Sequence, residues 1–106
     1  MDFLCILQLQ PKYKIQANWT DATNKILDDH WNHLVDLHGK GKVKFVSRTN
    51  YGIEHHANRG LAVYVADNEH EAREMMMNDP TIVNGVMQGE LHPLTIFMLG
   101  KDIVAG

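Results

Sequence analysis

The chain of 106 residues contains one cysteine, Cys5, so it can form no internal disulfide and carries no CxxC zinc or redox motif. It has no glycine-rich phosphate loop and no HxxxH or HExxH metal motif. No apolar run approaches the roughly 18 residues that span a bilayer. The start, Met1-Asp2-Phe3-Leu4-Cys5-Ile6-Leu7, has neither the basic region nor the small-residue cleavage site of a signal peptide. Lys and Arg are outnumbered by Asp and Glu, 10 to 13, and form no cluster, which argues against a nucleic-acid footprint. These absences predict a cytoplasmic domain with neither membrane nor nucleic acid as a partner.

What is present is an ordinary globular balance. Hydrophobic residues make up 44% and charged residues 22%, too apolar for a disordered chain. The length allows one domain, residues 1–106, and leaves little surface for a deep private pocket. The unusual entry in the composition is histidine, with seven copies.

Phe3–Leu7 is a short, continuous apolar run that predicts a strand buried on both faces. Thr20 or Asp21 caps a helix reaching about His38, with Ile26, Leu27, His30, Trp31, Leu34, Val35, Leu37 and His38 on one half of its wheel. Gly39 and Gly41 end it. Lys42–Ser47 alternates as a half-buried strand, Arg48–Gly60 is a long polar loop, and Leu61–Ala66 is a second central strand. Asn68 and Glu71 have capping-box spacing for a helix to about Asn78. Asp79-Pro80 ends that helix and opens a short turn, and Glu90–Leu99 is a final strand that Pro93 assigns to a sheet edge. The order is the split βαβ, ferredoxin-like pattern: an α+β fold with a four-stranded antiparallel sheet. Two helices cover one face of such a sheet, yet both central strands are apolar on both faces. A homodimer, sheet against sheet, is the expected solution.

Among the histidines, His30 lies between Leu34 and Leu37 on the helical wheel, inside the apolar stripe. There it serves either as a satisfied core residue or as a general acid/base. Asp79 before Pro80 is an ordinary cap for a following turn; a chemical role requires its carboxylate to reach an imidazole and fix the tautomer. His30 and His33 could share a ligand edge, but zinc wants three or four convergent ligands, so no metal is expected. Met75-Met76-Met77 reads as core filling, and Cys5 is shielded in a central strand.

In order and spacing, these segments resemble the YCII-related family. His30-Trp31-Asn32-His33-Leu34-Val35-Asp36-Leu37-His38-Gly39-Lys40-Gly41 resembles its His-x7-His-x-x-Gly segment. Leu61–Ala66, Glu71-Ala72 and Asn78-Asp79-Pro80 match its strand, helix and Asp-Pro ending, and Glu90-Leu91-His92-Pro93-Leu94 its closing strand. The resemblance spans Phe3 to Leu99. It implies a dimeric α+β barrel whose active site is built on one histidine and one aspartate, carried here onto His30 and Asp79, with no metal or organic cofactor. The chain departs from the pattern after its second strand, where Ser47-Arg48-Thr49 stands in place of a glycine element.

Two functions follow as expectations. The first is an enzyme, lyase- or isomerase-like, in which His30 moves a proton on a small cyclic or aromatic substrate and Asp79 orients the imidazole. Arg48, or His56 in the His55-His56 loop, would meet a substrate anion at the mouth. The alternative is a non-catalytic dimeric module that binds a small ligand or partner, with His30 as a buried polar anchor.

Overall fold

A computed structural model describes residues 1–104 of the chain. The first strand, β1 (Asp2–Leu9), is followed by two short 3-10 turns, Pro11–Lys14 and Gln16–Asn18, and then by α1 (Asp21–Gly39). Two further strands, β2 (Val43–Arg48) and β3 (Gly60–Val65), precede α2 (Glu69–Met77) and the single-turn α3 (Pro80–Val83). The chain then forms β4 (Met87–Leu94) and a small hairpin, β5 (Met98–Leu99) with β6 (Asp102–Ile103). The main sheet has the order β2-β3-β1-β4, antiparallel throughout, so the two most apolar strands are central and Pro93 lies on an edge strand. This is the expected ferredoxin-like α+β architecture.

Local chemistry accounts for the element boundaries. Thr20, not Asp21, caps α1: its hydroxyl accepts from the Thr23 N–H, and the Thr23 hydroxyl accepts from the Thr20 N–H. Both free donors are satisfied reciprocally. At the other end Gly41 takes a left-handed φ of +73°, which lets the chain turn sharply into β2. Asn68 caps α2 through the Glu71 N–H at 2.8 Å.

Strand β1 alternates strictly. Phe3, Cys5, Leu7 and Leu9 are buried beneath the helices, whereas Leu4 and Ile6 are only half-buried on the opposite face. The helix-side core adds Leu34 and Leu37 from α1, Ala62 and Tyr64 from β3, and Ala72, Met75 and Met76 from α2. The other face carries Leu4 and Ile6 opposite Val63 and Leu61, with Phe45 across from Val63. No helix covers it.

Two expectations require correction. The last strand begins at Met87 and ends at Leu94, not 90–99. Gln88 and Gly89 disguise its start, yet Gly89 is suited to its place: a Cβ there would stand 2.8 Å from the Met76 sulfur. Trp31 and Val35 belong to the apolar half of the α1 wheel but are 60% and 51% exposed. The stripe is wider than the strip of sheet available to cover it. These two residues border an open groove of about 290 Å³ between α1 and β2, with Phe45 and Val46 on its other side.

Candidate active site

The site begins with α1, whose cap and glycine end fix the helix along the sheet and turn His30 inward. The α2–α3 junction then brings Asp79 to it. Pro80 cannot continue α2, so the chain breaks there, and Asp79 caps α3 by accepting from the Thr81 N–H at 2.9 Å. The same Oδ1 accepts the Thr81 hydroxyl at 2.6 Å. Asp79 and Thr81 are both fully buried.

His30 Nδ1 stands 2.7 Å from Asp79 Oδ2 and 2.9 Å from Oδ1. An ionised carboxylate can only accept, so Nδ1 carries the proton, and in the neutral tautomer this selects, Nε2 is the acceptor. Burial alone would push the Asp79 carboxyl up. The His30 hydrogen bond and charge, with both Thr81 donors, outweigh it and hold the group below its ordinary 3.8. The aspartate is therefore anionic at neutral pH and accepts hydrogen bonds from one ring and one threonine.

His30 also lines a cavity of about 380 Å³ between α1, β2 and the loop after β2, a size suited to a small ligand. Leu27, Trp31 and Leu34 form its α1 side, and Trp19 and Met87 close it. Among the described residues Nε2 has no protein partner, which leaves it for a ligand. The arrangement is a histidine with one nitrogen anchored on a buried carboxylate, beside a cavity lined mainly by apolar side chains.

Arg48 lies on this cavity wall. His56 does not: it is exposed and stacks on His55, which in turn stacks on Tyr51 with ring centroids 4.1 Å apart. The loop instead contributes Ile53, Asn58 and Arg59. Sequence reasoning missed Arg59, although Arg48 and Arg59 flank one loop between two antiparallel strands, and hairpin geometry brings such positions together.

The remaining candidates have other surroundings. His33 Nε2 hydrogen-bonds the Met75 carbonyl at 3.2 Å, tying α1 to α2. His70 and His92 sit on the surface beside Glu74 and Glu90. Among the described residues no three His, Cys, Asp or Glu side chains stand together as a metal site. Burial pushes the Cys5 thiol up to about 11, so it stays protonated and a poor nucleophile. Burial likewise raises Tyr64, whose hydroxyl is enclosed with no hydrogen-bond partner among the described residues. No helix there is long and apolar enough to cross a membrane.

Comparison with known proteins locates the fold. No family model matches the chain, and no curated protein matches it in sequence. Among solved structures it is similar to the 5-chloro-2-hydroxyhydroquinone dehydrochlorinase TftG of Burkholderia phenoliruptrix AC1100, in complex with 2,5-dihydroxybenzoquinone. The TM-score is 0.61 at 18% identity, over 90% of this chain and 94% of that one. The likeness is one of fold, the ferredoxin-like α+β arrangement described above. At this identity the likeness is one of architecture, and the chemistry must be argued from the side chains of this chain.

Proposed function

We propose that this protein is a YCII-related enzyme that performs acid–base chemistry on a small aromatic or cyclic substrate without a cofactor, as a lyase or isomerase. The observation that carries the reading is the 2.7 Å contact between the fully buried Asp79 and Nδ1 of His30, the residue of the pair that lines a ligand-sized cavity. A core histidine needs its nitrogens satisfied. This one has a nitrogen left over, at a cavity.

The chemistry follows from the tautomer. Nε2 takes a proton from an acidic O–H or C–H of the substrate, and Asp79 stabilises the imidazolium that forms. In an isomerisation the ring returns the same proton to a different atom. In an elimination the leaving group departs with its bonding electron pair after the proton is lost. The structural neighbour is named for the second kind of reaction, on a chlorinated hydroxyhydroquinone. That supports an aromatic substrate without naming it.

The reading includes a homodimer. Leu4, Ile6, Leu61 and Val65 remain only half-buried on the helix-free side of the sheet, around the more enclosed Val63. A second copy packed on that face would cover them.

The direct test is a crystal soaked with a panel of hydroxylated aromatics and small lactones, chlorinated hydroxyhydroquinone included. Ordered density within hydrogen-bond distance of His30 Nε2 is expected. Density confined to crystal contacts would count against the reading.

A further inference from the structure

Among the described residues, the wall of the His30 cavity carries two arginines, Arg48 and Arg59, and no aspartate or glutamate; Asp79 lies buried behind His30. In a chain whose formal charge is −3, a wall with cations and no carboxylate departs from the average surface. We propose that this cavity selects aromatic ligands bearing a planar oxyanion, with the Arg48 guanidinium receiving that group and Arg59 supporting it. The inference rests on the preceding one in placing the reacting end of the substrate at His30. The charge preference itself is a binding property carried by other residues.

Strand alternation puts Val46 and Arg48 on the helix side of β2, toward the cavity. Directly across the ladder Arg48 faces Gly60, which has no side chain to compete for the space. Among the described residues Arg48 forms no ion pair and no side-chain hydrogen bond, although carboxylates elsewhere engage Lys25, Lys40, Lys42, Lys44 and Arg73. A guanidinium presents a flat fork of N–H donors that matches a planar oxyanion. Here no described side chain engages the fork.

Arg59 is held differently. One of its terminal nitrogens donates to the His56 and Asn58 carbonyls, both at 2.8 Å, which fixes the side chain against the loop. It also borders a second cavity, on the open face of the sheet, beside Gln88 and Glu90. Its part is therefore to raise the local positive potential, with Arg48 making the direct contact. The loop stem is closed by Thr49 N–H donating to the Arg59 carbonyl at 2.9 Å and Arg59 N–H donating to the Thr49 hydroxyl at 3.0 Å. Lys14 Nζ donates to the His55 carbonyl at 3.1 Å, tying the far side of the loop to the segment after β1. Both arginines thus stand on a braced hairpin neck. Trp19 and Trp31 provide aromatic surface for a ring between that neck and His30.

The test is a binding titration of the intact protein, followed by NMR of the tryptophan indole signals, with two charge pairs of near-equal shape. Benzoate is compared with benzamide, and 2,4-dinitrophenolate with 2,4-dinitroaniline. At least one anion is expected to bind about tenfold or more tighter than its neutral partner, since a charge-assisted contact is lost with the charge. The pair that shows the preference names the oxyanion, carboxylate or ring oxygen. Arg48→Gln should bring the ratio to within about twofold, and Arg48→Lys should retain part of it. Equal affinities in both pairs, no saturable shift with any of the four, or a preference unchanged in Arg48→Gln and Arg59→Gln would overturn the proposal. His30→Asn separates the two readings. It should keep the charge preference, so its loss there together with intact Arg48 would also overturn the anion site. Unimpaired turnover in His30→Asn would instead overturn the acid–base reading alone.

Discussion

Thr81 donates twice to a single oxygen of Asp79, through its backbone N–H at 2.9 Å and its hydroxyl at 2.6 Å. His30 Nδ1 stands nearer the other oxygen, at 2.7 Å against 2.9 Å to the shared one. One aspartate thereby caps a helix and holds an imidazole. Thr81→Val keeps the N–H and removes the hydroxyl. It should cost about 1.5–3 kcal/mol in urea denaturation, the scale of a hydrogen bond to a charged group. Because a stabilising donor is lost, the Asp79 carboxyl should also titrate higher in the variant.

The Asp79 carboxyl is held below its ordinary value, so its sign in the pH dependence of stability is fixed. On acidification the unfolded carboxyl takes up a proton first, the unfolded state then binds more protons, and stability falls. The contribution is fully present above the ordinary 3.8 and is lost as pH drops through that value toward the depressed folded one. Urea midpoints measured from neutral pH down to about pH 2 should fall below about pH 4. Asp79→Asn should flatten that limb.

Asp79→Asn and Asp79→Ala should separate the two duties of the residue. Asparagine can still cap α3, so its melting temperature should stay the closer to wild type. Alanine loses the cap, worth about 1 kcal/mol, and strands the buried Thr81 hydroxyl and the His30 N–H, for a total of about 2–4 kcal/mol. Both should reduce turnover of any substrate that uses His30 by about 10³-fold or more, because the imidazole loses its orientation and its counter-charge.

The proposed dimer has its own variant. Leu4 lies at the middle of the helix-free face, paired with Val63 on one side and His92 on the other. Leu4→Lys should leave the secondary structure by circular dichroism intact, since that face is not the helix-side core. It should convert a dimer at micromolar concentration to a monomer in sedimentation. A wild-type protein that sediments as a monomer at that concentration would contradict the dimer.

These predictions turn on residues that were unequally legible in the sequence. The sheet order followed from the contrast between apolar central strands and Pro93, because burial on two faces leaves a continuous apolar run. His30 was legible because helical periodicity isolates a polar residue within an apolar stripe. Its contact with Asp79 was not legible from pattern, because the two lie 49 positions apart and the turn at Pro80 makes the approach. The resemblance to a family supplied that pairing as an expectation. Periodicity overstated the buried face of α1, since a wheel ranks residues by angle without knowing how much sheet lies beneath them; Trp31 and Val35 show the error. Loops have no period, so the stacking of His55 and His56 left no signal in spacing; for Arg59 the signal was its place with Arg48 at the two ends of one hairpin loop.

The central claim is that His30 Nε2 exchanges protons with a bound aromatic ring. Hydrogen–deuterium exchange of ring C–H groups in D2O, followed by proton NMR over a panel of di- and trihydroxybenzenes and their carboxylates, measures this even while the full reaction is unidentified. The wild-type protein should accelerate exchange for at least one compound, and His30→Asn should lower that acceleration by about 10²-fold or more. Equal acceleration by wild type and His30→Asn would contradict the account.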